Sequence, residues 1–101
     1  MAYERFVRKL TKENLWLYVI RVLKDKPMYG YEVKKAIKER FKFSPSTVTV
    51  YAVLYKMSRE GLIRKIKSDG DTYYTLTEKG IEEFNKAKLF IDSLRNELFK
   101  N

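Results

Sequence analysis

The 101-residue chain contains neither cysteine nor histidine. Without cysteine it can form no disulfide and no zinc–thiolate cluster. Without either residue it also lacks the side chains most often used as metal ligands and as nucleophile–base pairs. Its four glycines stand apart from one another and form no phosphate-binding loop. We therefore expect no metal, no cofactor and no enzymatic activity.

Long hydrophobic runs are also missing. The longest, Leu15 to Ile20, has about six residues, whereas a membrane helix needs about 20. Charged residues near the start of the chain, among them Arg5 and Arg8, interrupt any signal-peptide pattern. We expect a cytoplasmic protein without a membrane-spanning segment.

Acidic residues are scarce in the first part of the chain. The formal net charge is +9, and residues 1–60 carry 14 Lys and Arg against 6 Asp and Glu. Residues 61–75 carry 3 against 2, and the last 26 residues carry 5 of each sign. This distribution predicts that the first 60 residues bind a polyanion and that the tail has another role. A generally basic surface is the alternative explanation of the charge.

Apolar residues at helical spacing predict three helices in the first 41 residues. A short stripe favours a helix over residues 1–10. The next helix covers about residues 12–25, with Thr11 as its N-cap. The third runs from Gly30 to Phe41 and is too short to be stable alone, so it should pack against the others.

A further helix follows the Ser-Pro-Ser segment that begins at Ser44. Either Ser44 caps it, with Pro45 in the first turn, or Ser46 caps it one turn later. Gly61 supplies the left-handed residue after its end. Its buried stripe is predicted to be Val50, Leu54 and Met57.

Two β-branched and aromatic runs, Leu62–Ile66 and Thr72–Leu76, flank a segment that contains Asp69 and Gly70. An Asp-Gly pair between two such runs is typical of a β-hairpin. Thr77 then caps a last helix that extends to about Phe99. The predicted fold is mainly α with a small β-hairpin (α+β), a winged helix-turn-helix followed by a long C-terminal helix.

The helix that begins near Ser46 is the predicted recognition helix, over about residues 46–60. In a helix-turn-helix the second helix enters the major groove, with its N-terminal residues nearest the base edges. Threonine and small apolar side chains can contact bases closely, and basic side chains suit phosphates. An ordinary solvent-exposed surface is the alternative. The predicted DNA-binding residues on this helix are Thr47, Val48, Thr49, Ala52, Tyr55, Lys56 and Arg59.

The hairpin wing, about residues 62–76, is expected to lie near the DNA backbone through Lys65 and Lys67. Asp69 and Asp71 nearly cancel these charges, so solvated strand lysines are the competing interpretation.

The last helix is predicted to form a homodimer. A helix over residues 78–99 would be about 33 Å long, which is more than a small three-helix core can cover. Its apolar residues recur at spacings of three and four, as in a coiled-coil seam, and its balanced charge lets two copies approach. The alternative is that the helix folds back on its own domain. The predicted interface residues are Phe84, Ala87, Ile91, Leu94 and Leu98.

Two segments are therefore expected to form one structural unit: a winged-helix DNA-binding domain over residues 1–77 and a dimerisation helix over residues 78–101. Trp16 is a candidate for an effector pocket between subunits, together with aromatic residues of the tail, for a small hydrophobic or aromatic molecule. Ordinary core packing is the competing explanation of Trp16.

Several short motifs, in order and spacing, resemble the PadR family of winged-helix transcriptional regulators across about residues 14–85. The matching segments are Met28–Val33, Ser46–Tyr51 with Leu54, Glu60–Ile63 and Tyr73–Gly80. The resemblance implies a homodimeric regulator, usually a repressor, that binds a pseudo-palindromic operator in double-stranded DNA. It further implies that a small molecule often releases the DNA.

The resemblance adds Ser46 and Tyr51 to the predicted DNA-binding residues, because Tyr51 takes the place of the family's tyrosine in the recognition helix. The chain also departs from the family. Tyr29 stands where the family often has His, and Thr47 and Ala52 stand where it often has Pro. Thr72 stands directly before Tyr73 and Tyr74, where the family commonly has a basic residue. The functional alternative is a winged-helix protein-interaction module that does not bind DNA.

Overall fold

The computed structural model describes residues 1–101 and consists of five α-helices and three short strands. The order of these elements is that of a winged helix-turn-helix with a long C-terminal helix, so the predicted fold class is confirmed. The helices are α1 (Ala2–Leu10), α2 (Leu15–Leu23), α3 (Gly30–Phe41), α4 (Thr47–Arg59) and α5 (Glu78–Phe99), and a 3₁₀ turn, Lys12–Asn14, precedes α2. The strands are β1 (Met28–Tyr29), β2 (Ile63–Ser68) and β3 (Asp71–Leu76).

The helix expected over residues 12–25 is shorter, and the assignment of Thr11 as its N-cap is wrong. Thr11 ends α1 instead, and its hydroxyl donates to the carbonyl of Val7 at 2.7 Å. Residues 12–14 form a 3₁₀ turn between the two helices. A threonine hydroxyl can satisfy a carbonyl of the preceding turn as readily as an amide of the following one, so the residue type does not distinguish the two roles.

The recognition-helix candidate α4 is capped by Ser46 rather than Ser44. The Ser46 hydroxyl accepts a hydrogen bond of 3.1 Å from the amide of Thr49, and Pro45 is buried beneath the turn. After the helix ends, Gly61 adopts a φ of 79°, the left-handed conformation expected there.

The sheet has three antiparallel strands in the order β1-β3-β2. The strand β1 was not predicted, because two residues are too few to show an alternating pattern; it pairs Met28 with Tyr74. The hairpin strands reach further than the predicted Leu62–Ile66 and Thr72–Leu76. Pairing continues to Ser68 and Asp71, and the turn contains only two residues. Both have positive φ, 49° at Asp69 and 82° at Gly70, as a type I′ turn requires.

The core lies where α2, α3 and α4 meet and is closed on one side by the sheet. Each helix contributes a stripe of apolar residues, and the most buried side chains are fully excluded from solvent. The 14 core residues are Leu15, Val19, Ile20, Val22, Leu23, Met28, Val33, Ile37, Val50, Leu54, Met57, Leu62, Ile63 and Tyr74.

The long helix α5 is anchored at its first turn. The Thr77 hydroxyl caps the amide of Gly80 at 3.1 Å and donates to the carbonyl of Gly61 at 2.6 Å. Lys79 donates to the carbonyl of Glu60 at 2.8 Å. Beyond Ala87 every residue of α5 is exposed, and the molecule extends 55 Å along its longest axis. No helix combines the length and apolar composition needed to span a bilayer.

Candidate nucleic-acid interface

The helix α4 is held by one face and presents the other to solvent. Val50, Leu54 and Met57 are buried in the core. On the opposite face Val48 is 80% exposed and Tyr55 is 57% exposed. The helix is therefore a firmly seated element whose outward face carries apolar and hydroxyl side chains. Also exposed on this helix or at its N-cap are Ser46, Thr47, Tyr51, Ala52, Lys56 and Arg59.

The N-terminus of α4 is organised by hydrogen bonds within the chain. The Ser46 hydroxyl donates to the Thr49 hydroxyl at 2.8 Å, and Lys34 from α3 donates to the Thr47 hydroxyl at 3.0 Å. Thr49 is half-buried, so its hydroxyl serves the cap. Lys34 places a cation beside the positive end of the helix dipole, which makes this corner favourable for an anion.

Tyr51 lies against the first residue of α3. A β-carbon at Gly30 would stand 2.6 Å from both Cζ and the hydroxyl oxygen of Tyr51, so only glycine allows the ring this position. Burial raises the pKa of Tyr74, and the nearby Tyr51 hydroxyl raises it further. Tyr51 thus links α4 to the start of α3, and the residue remains 44% exposed.

The C-terminal half of α4 is basic and carries one aromatic ring. The guanidinium of Arg59 lies 5.8 Å from the centre of the Tyr55 ring, a cation–π arrangement that orders both exposed side chains. Lys56 is also exposed, one turn before the end of the helix. The C-terminal half of α4 therefore presents two cations to solvent.

The wing carries its lysines on one side. Lys65 and Lys67 share a sheet face with buried Ile63, because side chains two residues apart point the same way, and Arg64 points to the opposite face. Both lysines are exposed. The sheet face that covers the helical core therefore continues through these two lysines towards the tip of the wing.

Lys34 and Tyr31 were missed by the sequence analysis as candidate site residues. Lys34 contacts Thr47, and Tyr31 is 66% exposed next to the glycine that touches Tyr51. Tyr31 lies in the segment that begins α3 and carries part of the family resemblance. Nothing in the local pattern of α3 indicates that its first turns adjoin the start of α4.

The predicted seam of α5 divides into two parts. Phe84 is half-buried against the core, with the Lys24 ammonium 5.2 Å from its ring centre, and Ala87 is also half-buried. Ile91, Leu94 and Leu98 are exposed, at 49%, 41% and 66%. The first part of the seam thus attaches the helix to its own domain, and the second part is uncovered.

Trp16 is half-buried and lines a cavity of about 420 Å³ between the start of α2 and the inner side of α4. Val53 and Met57 line the same cavity. The tail aromatic Phe84 lines a different cavity of about 480 Å³, together with Tyr18. The structure therefore does not bring Trp16 and the tail aromatics together within one chain. No three acidic side chains lie close enough together to hold a metal ion.

These features define the winged helix-turn-helix class of proteins. The core consists of three helices, a two-stranded wing follows it, and α4, the second helix of the helix-turn-helix, faces outward. The PadR-like family of transcriptional regulators matches residues 19–86, about two thirds of the sequence. The chain therefore belongs to the PadR-like transcriptional regulator family, which is a DNA-binding family and not a family of enzymes. The helix α1 and the end of α5 lie outside the matched residues.

Solved structures of PadR proteins resemble this one over most of their length. A PadR family transcription regulator from Clostridium difficile is 29% identical, with a TM-score of 0.69 over 84% of this chain and 97% of that chain. A PadR-like regulator from Bacillus cereus is 28% identical, with a TM-score of 0.65 over 89% and 95%. A winged-helix DNA-binding protein from STIV, 20% identical, shares the fold with a TM-score of 0.69 over 80% and 89%. None of the curated proteins matches the sequence significantly.

Proposed function

We propose that the protein is a homodimeric transcriptional repressor that places α4 in the major groove of a pseudo-palindromic operator. One observation carries the proposal. The exposed face of α4 combines Val48 and Ala52 with flanking cations, while its other face is fixed in the core. Apolar side chains that contact thymine methyl groups discriminate bases, and lysine or arginine beside them neutralises phosphates.

Base reading is assigned to the first half of α4. Val48 is 80% exposed, and the exposed Ala52 follows it one turn later, where a small side chain would let the helix approach the bases. The Ser46 and Thr49 hydroxyls already bond to each other, so their role is to hold the start of the helix. Thr47 and Tyr51 lie beside Val48 and complete this part of the surface.

Phosphate contacts are assigned to cations around that surface. Lys34 lies at the start of α4, and Lys56 and Arg59 lie towards its end. Lys65 and Lys67 on the wing would reach a neighbouring stretch of backbone. Contacts of this kind add affinity at every sequence and make binding fall steeply with salt.

The exposed part of α5 would pair two copies of the chain. We assign DNA binding to residues 1–77 and dimerisation to residues 78–101. Ile91, Leu94 and Leu98 form an uncovered apolar seam, and burial of each methylene contributes about 0.8 kcal/mol. A symmetric dimer presents two recognition helices, which can read half-sites about 34 Å apart on one side of the duplex.

The cavity at Trp16 is the proposed site of a small aromatic or hydrophobic effector. Its wall includes Lys56 and Met57 of α4, so an occupant would contact the recognition helix directly. Titration of planar aromatic compounds against Trp16 fluorescence tests this site, since it is the only tryptophan. A flat signal across the panel would argue against an effector at Trp16 and leave the DNA-binding proposal intact.

Gel retardation on a pool of duplex DNA fragments tests the function itself. We expect retardation at low salt that weakens steeply as salt is raised, and weaker binding by Lys56→Ala. Lys86→Ala, which removes an exposed lysine from α5, is the matched control and should bind like the wild type. A protein-interaction module would retard no fragment even at low salt.

A further inference from the structure

The exposed face of α4 lacks the side chains that usually distinguish bases by hydrogen bonds. Arginine or lysine pairs with guanine, and asparagine or glutamine pairs with adenine, each through two hydrogen bonds. From Thr47 to Tyr55 the helix contains no charged and no amide side chain. Val48 and Ala52 are exposed one turn apart on this face, and neither side chain can donate or accept a hydrogen bond. Bases beside the first half of α4 would therefore meet a mainly apolar surface.

The hydroxyl groups at the start of α4 already have partners within the chain. The Thr47 hydroxyl accepts from the Lys34 ammonium at 3.0 Å. The Ser46 hydroxyl donates to that of Thr49 at 2.8 Å and accepts from the Thr49 amide at 3.1 Å. A hydroxyl group that turns from such a partner to a base edge exchanges one hydrogen bond for another and gains little. These side chains therefore add little discrimination between bases.

The cations of α4 lie far along the helix from Val48. Lys56 follows Val48 by eight residues, which is about 12 Å along the helix axis. Arg59 lies further on, and its guanidinium stands 5.8 Å from the centre of the Tyr55 ring. Because the N-terminal residues of a recognition helix are nearest the base edges, cations near its C-terminal end suit phosphates instead. The bases beside Val48 are thus left to its apolar neighbourhood.

The side chains of Val48 and Ala52 match one group in the major groove, the C5-methyl group of thymine. The other groups on the base edges there are mostly hydrogen-bond donors and acceptors. An apolar side chain placed over them excludes water without supplying a partner, which disfavours binding. Val48, which is 80% exposed, therefore suits a position where each half-site presents a methyl group.

We propose that Val48 and Ala52 read the C5-methyl groups of pyrimidines in the major groove. The inference rests on the proposed DNA-binding function and specifies the chemical group that this surface recognises. It predicts thymine at the contacted position of each half-site and weaker binding of uracil, which pairs identically but lacks the methyl group. 5-Methylcytosine carries the same methyl group at the same ring position. The protein should therefore also distinguish methylated from unmethylated cytosine at that position.

Binding of chemically modified duplexes tests the inference. The probe is a duplex enriched from a random DNA pool and resynthesised with deoxyuridine in place of one thymine at a time, in both half-sites together. At the contacted position we expect the dissociation constant to rise at least about tenfold, because a buried methyl group contributes about fourfold in each half-site. Replacement of that T·A pair by C·G should weaken binding, and 5-methylcytosine in place of the cytosine should recover about tenfold.

A double-mutant cycle assigns the methyl contact to Val48. Val48→Ser removes both methyl groups of the side chain at an exposed position, so circular dichroism should match the wild type. We expect this variant to bind the thymine and uracil duplexes equally, within about twofold. Glu82→Ser introduces the same residue at an exposed position of α5 and should keep the full preference for thymine.

Three outcomes would overturn the inference, and they differ in what else they affect. If the protein retards no duplex at low salt, the proposed DNA-binding function is wrong as well. If it binds DNA but tolerates uracil at every position, methyl reading is wrong and the DNA-binding function stands. If uracil weakens binding by the same factor in Val48→Ser and in the wild type, another residue contacts the methyl group and the assignment to Val48 is wrong.

Discussion

The backbone of Gly80, in the first turn of α5, packs directly against the carbonyl group of Leu62 at the base of the wing. A β-carbon at position 80 would overlap that carbonyl oxygen and would stand 3.3 Å from Cδ1 of Ile20. Because the overlapped atom belongs to the backbone, neither side can move away easily. Gly80 therefore fixes the long helix to the base of the wing and to α2.

Gly80→Ala should destabilise the protein, although alanine favours a helix over glycine by about 1 kcal/mol. The clash with the Leu62 carbonyl should outweigh this gain, with a net loss of about 1–3 kcal/mol in the free energy of unfolding. Urea denaturation measures the change. Glu82→Ala, an exposed position in the same helix, is the control and should have little effect. A stabilised Gly80→Ala variant would show that α5 does not begin in this close contact.

Gly30→Ala should weaken DNA binding more than it weakens the fold. The added methyl group meets only the outer end of the Tyr51 side chain, which can swing away, so stability should change by less than about 1 kcal/mol. The displaced ring would then disturb the surface around Val48. We expect a severalfold loss of DNA affinity with a nearly unchanged midpoint of urea denaturation. A loss of stability with intact DNA affinity would contradict the position assigned to Tyr51.

Val48 and Lys56 should respond differently to substitution. Val48→Asn should change which base pairs are preferred, because asparagine replaces methyl contacts with an amide that can pair with adenine. Lys56→Ala should lower affinity similarly on all sequences and reduce the salt dependence. Competition binding on a set of related duplexes separates the two effects. If Val48→Asn left the preference unchanged, the first half of α4 would not read bases.

The stability contribution of Asp25 should depend on pH. Its carboxylate accepts from Arg21 at 3.0 Å and from Arg40 at 2.9 Å, and these contacts lower its pKa, the Arg21 hydrogen bond contributing most. Because the folded state favours the charged form, the contribution is present at neutral pH. It is lost as the pH falls below about 3.9, the ordinary value for aspartate, and through the lowered pKa of the folded protein.

Asp25→Asn should therefore lower the melting temperature at neutral pH and have little effect in acid. Thermal unfolding followed by circular dichroism at several pH values measures the difference. Asp71→Asn makes the same chemical change at the exposed tip of the wing and serves as the control. If the melting temperatures of Asp25→Asn and the wild type differed by the same amount at every pH, the ion pairs of Asp25 with Arg21 and Arg40 would not form.

The fold was largely predictable because its signals are local. The apolar stripe and Gly61 predict α4 and its end. Asp69 and Gly70 predict the hairpin turn, and Thr77 predicts the start of α5. One failure depends on a neighbour distant in sequence, because the strand β1 exists only through its pairing with β3, where Met28 lies opposite Tyr74. The other is local: the Thr11 hydroxyl bonds to the carbonyl of Val7, and the residue type does not show whether a threonine ends one helix or begins the next.

The sequence predicts which face of α4 is exposed, but it does not predict which residues of other elements lie beside that face. Helical periodicity alone separates the buried Val50 from the exposed Val48. The contact between Lys34 and Thr47 joins residues 13 positions apart, and no pattern within either helix indicates it. Nor does periodicity show that Trp16 faces α4 while Phe84 faces α2. Such relationships follow from the packing angles of the helices.

Selection of bound duplexes from a random DNA pool tests the central claim most directly. The account predicts enrichment of a two-fold symmetric motif whose half-site centres lie about one helical turn apart, or a multiple of it, since two α4 helices read one side of the duplex. Val48→Asn should shift the enriched bases within each half-site and keep the spacing. A pool that shows no enrichment, or an asymmetric motif that Val48→Asn leaves unchanged, would contradict it.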